Sequence, residues 1–196
     1  MQLYYSATSP FARKVLMVLH LTGLMENCEL LLTNPLENSS LRQINPLGKV
    51  PALIDGDLNL IDSPLICEYL DERAQSNLLR KGTPEYFHIR LVCAYGDGLL
   101  DAAVATVMES RRSDAEQSHF WKQRWHQSIL QSLARLPPAQ LGAPDTIHMA
   151  TVTALAALGY LDFRLPNMNW RDTRPDLADW YEPFAALPWV FQTTPK

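Results

Sequence analysis

Two residue pairs, Ser9-Pro10 and Ser63-Pro64, place a hydroxyl and a proline where a helix should begin, and Asp62 precedes the second pair. Serine followed by proline reads as a helix cap with a first-turn proline. Unpaired backbone N–H groups at such a start attract an anion, so Asp62-Ser63 offers a carboxylate and a hydroxyl beside an anion-binding helix end. Between the two pairs lies Val50-Pro51. Proline pushes the preceding residue extended, which would leave the Val50 N–H and C=O at a strand edge, free to pair with an outside peptide. A cis bond to Pro51 would sharpen and fix that turn. This set of groups suits a peptide-like ligand carrying both an amine and a carboxylate. It also suits an edge proline and a plain helix cap, and spacing alone does not separate the two readings.

The elements that must position these residues follow from periodicity. Leu3-Tyr4-Tyr5 reads as a first strand, and a helix from Pro10 turns Phe11, Val15, Val18 and Leu19 to one side until Gly23. Cys28 to Leu32 is unbroken in apolar content, as a buried parallel strand would be. A polar segment with a short helix around Leu41 leads to Val50–Ile54, a turn at Asp55-Gly56-Asp57, and a second strand at Leu58–Leu60. The helix from Ser63 should bury Leu65, Ile66, Tyr69 and Leu70 and leave Glu68, Asp71, Glu72 and Arg73 to solvent. The order is βαβ then ββα, an α/β sandwich resembling thioredoxin.

The rest of the chain reads as all-α. Thr83-Pro84 opens a long helix in which Gly96 and Gly98 mark a close approach or a bend. Asp114 with Gln117 is a capping pair for a helix that turns Trp121, Trp125 and Leu133 to the core. Asp145-Thr146 begins a helix from Ile147 to Phe163 that is apolar on nearly all sides and therefore central. Pro175 starts a shorter helix. The expected division is a first domain over 1–75, a linker over 76–83 and an all-helical second domain over 84–196.

Asn45-Pro46-Leu47-Gly48-Lys49-Val50-Pro51-Ala52-Leu53, followed by Asp62-Ser63, resembles the glutathione site of the cytosolic glutathione transferases. The resemblance extends to the N-terminus by motif and to the second half by architecture. It implies that Val50 pairs main chain to main chain with the cysteinyl unit of glutathione, before a cis Pro51, and that Asp62 and Ser63 hold its γ-glutamyl end. It implies a group that stabilises the thiolate, since a free thiol is only a few per cent ionised near neutral pH. Ser9 is the catalytic candidate: a sulfur beside it would meet a hydroxyl donor and the positive end of a helix. Thr8, Ser6 and Tyr5 are the nearby alternatives, Thr8 foremost. Lys49 stands where the family often has Gln, and either reaches the glycyl carboxylate or stays solvated; Arg42 is a weaker choice. Arg13 reads as a surface or interdomain ion-pair residue, with electrostatic help to the site as the other option. Asp97, on the long helix, is a candidate for the part that in relatives an acidic residue of the neighbouring subunit's long helix plays, approaching the γ-glutamyl amine. One departure from the family is visible: Thr146 is followed at the third place by Met149, where an Asp is usual.

The 196 residues carry a formal net charge of -4 and no basic run with interleaved aromatics, which argues against nucleic-acid binding. No apolar run reads as long or clean enough for a membrane span, and Met1-Gln2-Leu3 leads into a strand rather than a signal peptide. The 3 cysteines are widely spaced in apolar surroundings, so they read as reduced and buried in a cytoplasmic protein. No C-x-x-C or Cys/His metal spacing occurs, so no metal is expected. The resemblance implies a homodimer that transfers glutathione to a small hydrophobic electrophile. A glutathione-dependent reductase of disulfides or peroxides without a protein cysteine, and a non-catalytic interaction module on the same fold, remain as alternatives.

Overall fold

The structure is a computed structural model that describes residues 1–195. It divides into two compact units: residues 1–78 together with the C-terminal residues from Pro188 on, and Leu79–Leu187. The sequence reading had assigned the whole of 84–196 to the second domain. In the structure, the short helix α9 (Pro188–Phe191) packs instead on α1 (Pro10–Leu21) of the first unit.

The first unit is built on four strands: β1 (Gln2–Tyr5), β2 (Glu29–Leu32), β3 (Ala52–Asp55) and β4 (Leu58–Ile61), in the order β2-β1-β3-β4. β1 and β2 are parallel, and the β1–β3 and β3–β4 pairs are antiparallel. The α/β sandwich read from the sequence is therefore the observed one. β2 is not the buried strand its apolar run suggested: it lies at the sheet edge, and Leu32 is 70% exposed. A fully apolar run marks a strand covered on both faces only where neighbours cover it, and an edge strand has a neighbour on one side only. The turn from β3 to β4 is a two-residue hairpin with Gly56 at φ +59°, as Asp55-Gly56-Asp57 suggested.

α3 (Ser63–Ala74) buries Ile66, Cys67 and Leu70, while Leu65, expected inside, is 48% exposed. Asp71, expected in solvent, is buried and works as an anchor. Its Oδ1 accepts hydrogen bonds from Ser76 Oγ and from the Leu78 N–H, both at 2.7 Å, folding the chain back after the helix.

The second unit is helical: α4 (Tyr86–Ser110), α5 (His119–Leu133), α6 (Met149–Arg164), α7 (Trp170–Thr173) and α8 (Pro175–Ala185). α4 packs along both α5 and α6. Gly96 is the close approach anticipated, since a Cβ there would lie 2.6 Å from Thr153 Cγ2 of α6; no such neighbour faces Gly98. At 25 residues α4 is, by length and composition, apolar enough to cross a bilayer, contrary to the sequence reading. The partner helices cover its apolar stripe here, burying Val92, Leu99, Leu100 and Ala103 among others. α6 is buried from Met149 to Leu161, the central helix its composition called for.

Three helix starts differ from expectation. α4 begins at Tyr86 rather than at Thr83-Pro84, whose threonine instead closes a turn onto the Arg80 carbonyl at 2.8 Å. The Asp114 stretch is only a 3-10 turn, and Ser118 is the cap of α5, accepting the Trp121 N–H at 3.4 Å. Trp121 is 47% exposed and stacks on Trp125 with ring centroids 5.8 Å apart, because α5 buries only its C-terminal half through Ile129 and Leu133. α6 is capped at His148, not at Asp145-Thr146. Thr151 Oγ1 accepts the His148 N–H at 3.1 Å and donates to the Leu141 carbonyl at 2.6 Å. The family departure persists in the new register: the cap is His148, and Thr151 rather than Asp holds the place three residues after it. Burial, and secondarily the positive Arg80, holds the His148 imidazole below its ordinary pKa; it stays neutral where the helix dipole would disfavour a cation.

Candidate functional site

Strand register decides which of the expected residues meet. Tyr4 of β1 pairs with Ala52 of β3, and Ala52 pairs with Ile61 of β4. The end of β1, the start of β3 and the end of β4 therefore lie at one end of the sheet. Ser9 follows β1 by a short turn, Val50 precedes β3 by two residues, and Asp62-Ser63 comes directly after β4. Three segments distant in the chain are gathered by three strands.

Ser9 caps α1 as expected. Its Oγ accepts the Ala12 N–H at 3.2 Å, and its backbone is extended. An acceptor hydroxyl keeps its own proton to donate, so capping and donation to a ligand are compatible at this one oxygen. Thr8, the alternative, has its Oγ1 3.3 Å from Ser6 Oγ, and Tyr5 closes β1 half-buried.

The Val50–Pro51 peptide bond is cis. The Val50 side chain is buried with Leu41 and Ala52, with Tyr4, Ile44 and Ile61 packed against them. Among the described residues, neither the N–H nor the C=O of Val50 has a hydrogen-bond partner. A buried side chain with a free main chain is the arrangement of a strand edge awaiting a further strand. Lys49 beside it is exposed.

Ser63 departs from its expected part. The N-cap of α3 is Asp62, Ser63 is the first helical residue, and Pro64 is the second. Ser63 caps nothing: it is 2% exposed, and its Oγ has no hydrogen-bond partner among the described residues. Buried hydroxyls are nearly always paired, and an unpaired one costs about 1–3 kcal/mol. Asp62 lies at φ +71° and ψ 117°, a conformation unfavourable for a residue with a side chain, which turns its exposed carboxylate at the head of α3. The Asp62 carbonyl receives the Ile66 N–H at 2.9 Å, and Pro64 has none, so the Ser63 and Leu65 N–H groups are left without helical partners. A hydroxyl and two N–H groups thus lie in the first turn of α3, at its positive end, next in sequence to the Asp62 carboxylate.

Arg13 corrects the surface reading. It is 3% exposed and donates to the Val190 carbonyl at 3.4 Å, binding α1 to α9 within the first unit. Asp97 lies on α4, in the second unit, and the first unit does not include it. The 3 cysteines are buried and in no disulfide among the described residues, and burial above all pushes the Cys28 thiol up, away from a ready thiolate. Among the described residues no cluster of His, Cys, Asp or Glu suits a metal ion.

Sequence reasoning overlooked Asn45. It is buried and holds the loop to Val50 from inside: its Nδ2 donates to the Lys49 carbonyl at 2.7 Å and its Oδ1 accepts the Leu47 N–H at 3.0 Å. Asn followed by Pro and, three residues on, by Gly is a turn signal that could have shown it.

A family model described as the glutathione S-transferase N-terminal domain matches residues 3–78. YibF, an uncharacterized GST-like protein of Escherichia coli (strain K12), is 33% identical over 184 residues, which span 91% of this chain and 90% of YibF. Among solved structures, a glutathione transferase family member from Pseudomonas fluorescens Pf-5, with bound glutathione, has a TM-score of 0.94 at 33% identity, over 100% of this chain and 98% of that one. A glutathione S-transferase from Methylobacillus flagellatus KT, with GSH bound, has a TM-score of 0.90 at 31% identity, over 100% of this chain and 99% of its own. The likeness runs through the full length, and the chain belongs to the glutathione S-transferase family.

Proposed function

We propose that this protein binds glutathione at the sheet end formed by Ser9, Lys49, Val50, Asp62 and Ser63, and activates its thiol for attack on an electrophilic small molecule. The buried Ser63 hydroxyl, without a partner at a helix start, is the observation that carries the reading. The γ-glutamyl carboxylate would take that hydroxyl and the free N–H groups of α3, with its amine facing Asp62. The cysteinyl unit would pair with the Val50 main chain, and the glycyl carboxylate would face Lys49. The sulfur then reaches the Ser9 hydroxyl, whose hydrogen bond stabilises the anion and lowers the thiol pKa. The thiolate forms the new carbon–sulfur bond as the electrophile's leaving group departs, and the thiol proton goes to solvent. With the protein's own 3 cysteines buried, glutathione supplies the nucleophile. Asp97 and Thr8 keep supporting roles in this proposal, as does a cytoplasmic homodimer; sedimentation at the 22.2 kDa of one chain would count against the dimer.

Glutathione at a hundred times its dissociation constant should stabilise the protein by about 2.7 kcal/mol, a shift visible in thermal unfolding. Ser63→Ala sharpens the test. Were Ser63 a cap, the variant would lose about 1 kcal/mol without ligand. Because its hydroxyl is unpaired, the ligand-free variant should instead be as stable as the parent or slightly more so, while the glutathione-induced shift shrinks. A full shift in Ser63→Ala, or none in the parent at millimolar glutathione, would remove this reading.

A further inference from the structure

Four polar groups of Asn45 are engaged at once. Its N–H donates to the Leu41 carbonyl at 2.7 Å, and its C=O accepts the Gly48 N–H at 2.8 Å. Its side chain accepts from the Leu47 N–H at 3.0 Å and donates to the Lys49 carbonyl at 2.7 Å. Asn45 itself is 2% exposed. The loop is also confined from outside. Gly48 stands at φ +62°, and a Cβ there would meet the Arg42 guanidinium at 2.9 Å, while that guanidinium donates to the Pro46 carbonyl at 3.4 Å. The last bond of the set holds the Lys49 carbonyl, which belongs to the same peptide unit as the Val50 N–H. That bond fixes the plane of the peptide that carries the Val50 N–H, for which there is no partner among the described residues.

We infer that Asn45 is a positioning residue: by gripping the Lys49 carbonyl it aims the Val50 N–H and C=O, and so sets the affinity for a peptide-like ligand without touching it. This rests on the glutathione-binding reading above. Asn45→Asp is nearly isosteric, keeps an acceptor for the Leu47 N–H, and replaces the donor to Lys49 with an oxygen that repels the carbonyl.

Two measurements on the full-length variant decide the matter. In hydrogen exchange without ligand, the Gly48 amide, whose bond to the Asn45 carbonyl lies in the turn that the lost Lys49 bond closes, should exchange at least tenfold faster than in the parent, with β1, β3 and α3 unchanged. In calorimetry, glutathione should bind at least tenfold more weakly, while the thiol pKa of the bound fraction stays at the parent value because Ser9 is intact. Loss of stability alone would leave affinity untouched, so the affinity change separates positioning from mere packing. Faster exchange with unchanged affinity overturns the inference, and so does unchanged exchange. Failure of the parent to bind glutathione strikes the proposed function instead, and is read on the parent alone. Should Asn45→Asp not fold, Asn45→Ser carries the same comparison, since its hydroxyl can accept from Leu47 but is too short to reach Lys49.

Discussion

Ser9→Ala should slow conjugation of glutathione to a reactive aryl halide by tenfold or more, about 1.4 kcal/mol in the barrier, with glutathione affinity little changed. The hydroxyl would be lost from the sulfur's side, while Val50, Asp62 and Ser63 go on holding the peptide. The pKa of the bound thiol should rise, seen as a later onset of thiolate absorbance on titration. The variant also loses the oxygen that receives the Ala12 N–H, so about 1 kcal/mol of stability should go with it. Activity must therefore be measured well below the melting transition. An unchanged titration in Ser9→Ala, with a changed one in Thr8→Ala or Tyr5→Phe, would move the role to that neighbour. Ser9→Cys should instead form a mixed disulfide with oxidised glutathione, because a thiol at a helix start is acidified.

The largest stability effect is expected far along the chain, at Gly142. Its φ is +74°, and a Cβ would stand 2.5 Å from the Thr146 carbonyl oxygen and 2.9 Å from Thr151 Oγ1. Neither can yield. The first is main chain, and the second is already committed to the Leu141 carbonyl and the His148 N–H. The Gly142 carbonyl in turn receives the Trp180 Nε1–H at 2.7 Å, so a shift there is felt in α8. Left-handed strain and overpacking together put Gly142→Ala at about 3 kcal/mol. For a chain of this size that is roughly 6–12 °C in Tm. A melting temperature equal to the parent's would show that the turn before α6 relaxes freely.

Much of the site was legible in the sequence because its residues obey local rules. Proline fixes the backbone before it, serine caps helices, and Gly56 turns a hairpin; such rules act over a few residues and survive without knowledge of the fold. The order of strands and helices was legible for the same reason. What stayed hidden depends on who sits next to whom. The apolar run of β2 looked like an interior strand because nothing local says that it ends the sheet. Asp71 looked like a solvent residue because its partners, Ser76 and Leu78, lie beyond the helix that carries it. Ser63 has every local mark of a cap, yet Asp62 takes the cap position through a positive φ that no composition announces. The start of α6 was misjudged by a few residues because Asp145-Thr146 is a plausible cap, and only the long-range bond from Thr151 to Leu141 picks out the other. Tertiary contacts chose between local options of similar worth.

The tether from Arg13 to Val190 also sets an order of events. The first unit joins residues 1–78 to the segment from Pro188 on, with residues 79–187 between them in the chain. When residue 78 leaves the ribosome all four strands are present, but the carbonyl that receives the buried guanidinium is not yet made. Synthesis must run past Val190 before that bond can form, so the unit whose strands emerge first is completed only after residues 79–187 have been made. A first unit expressed alone, ending at residue 78, would leave the Arg13 guanidinium without the carbonyl that receives it.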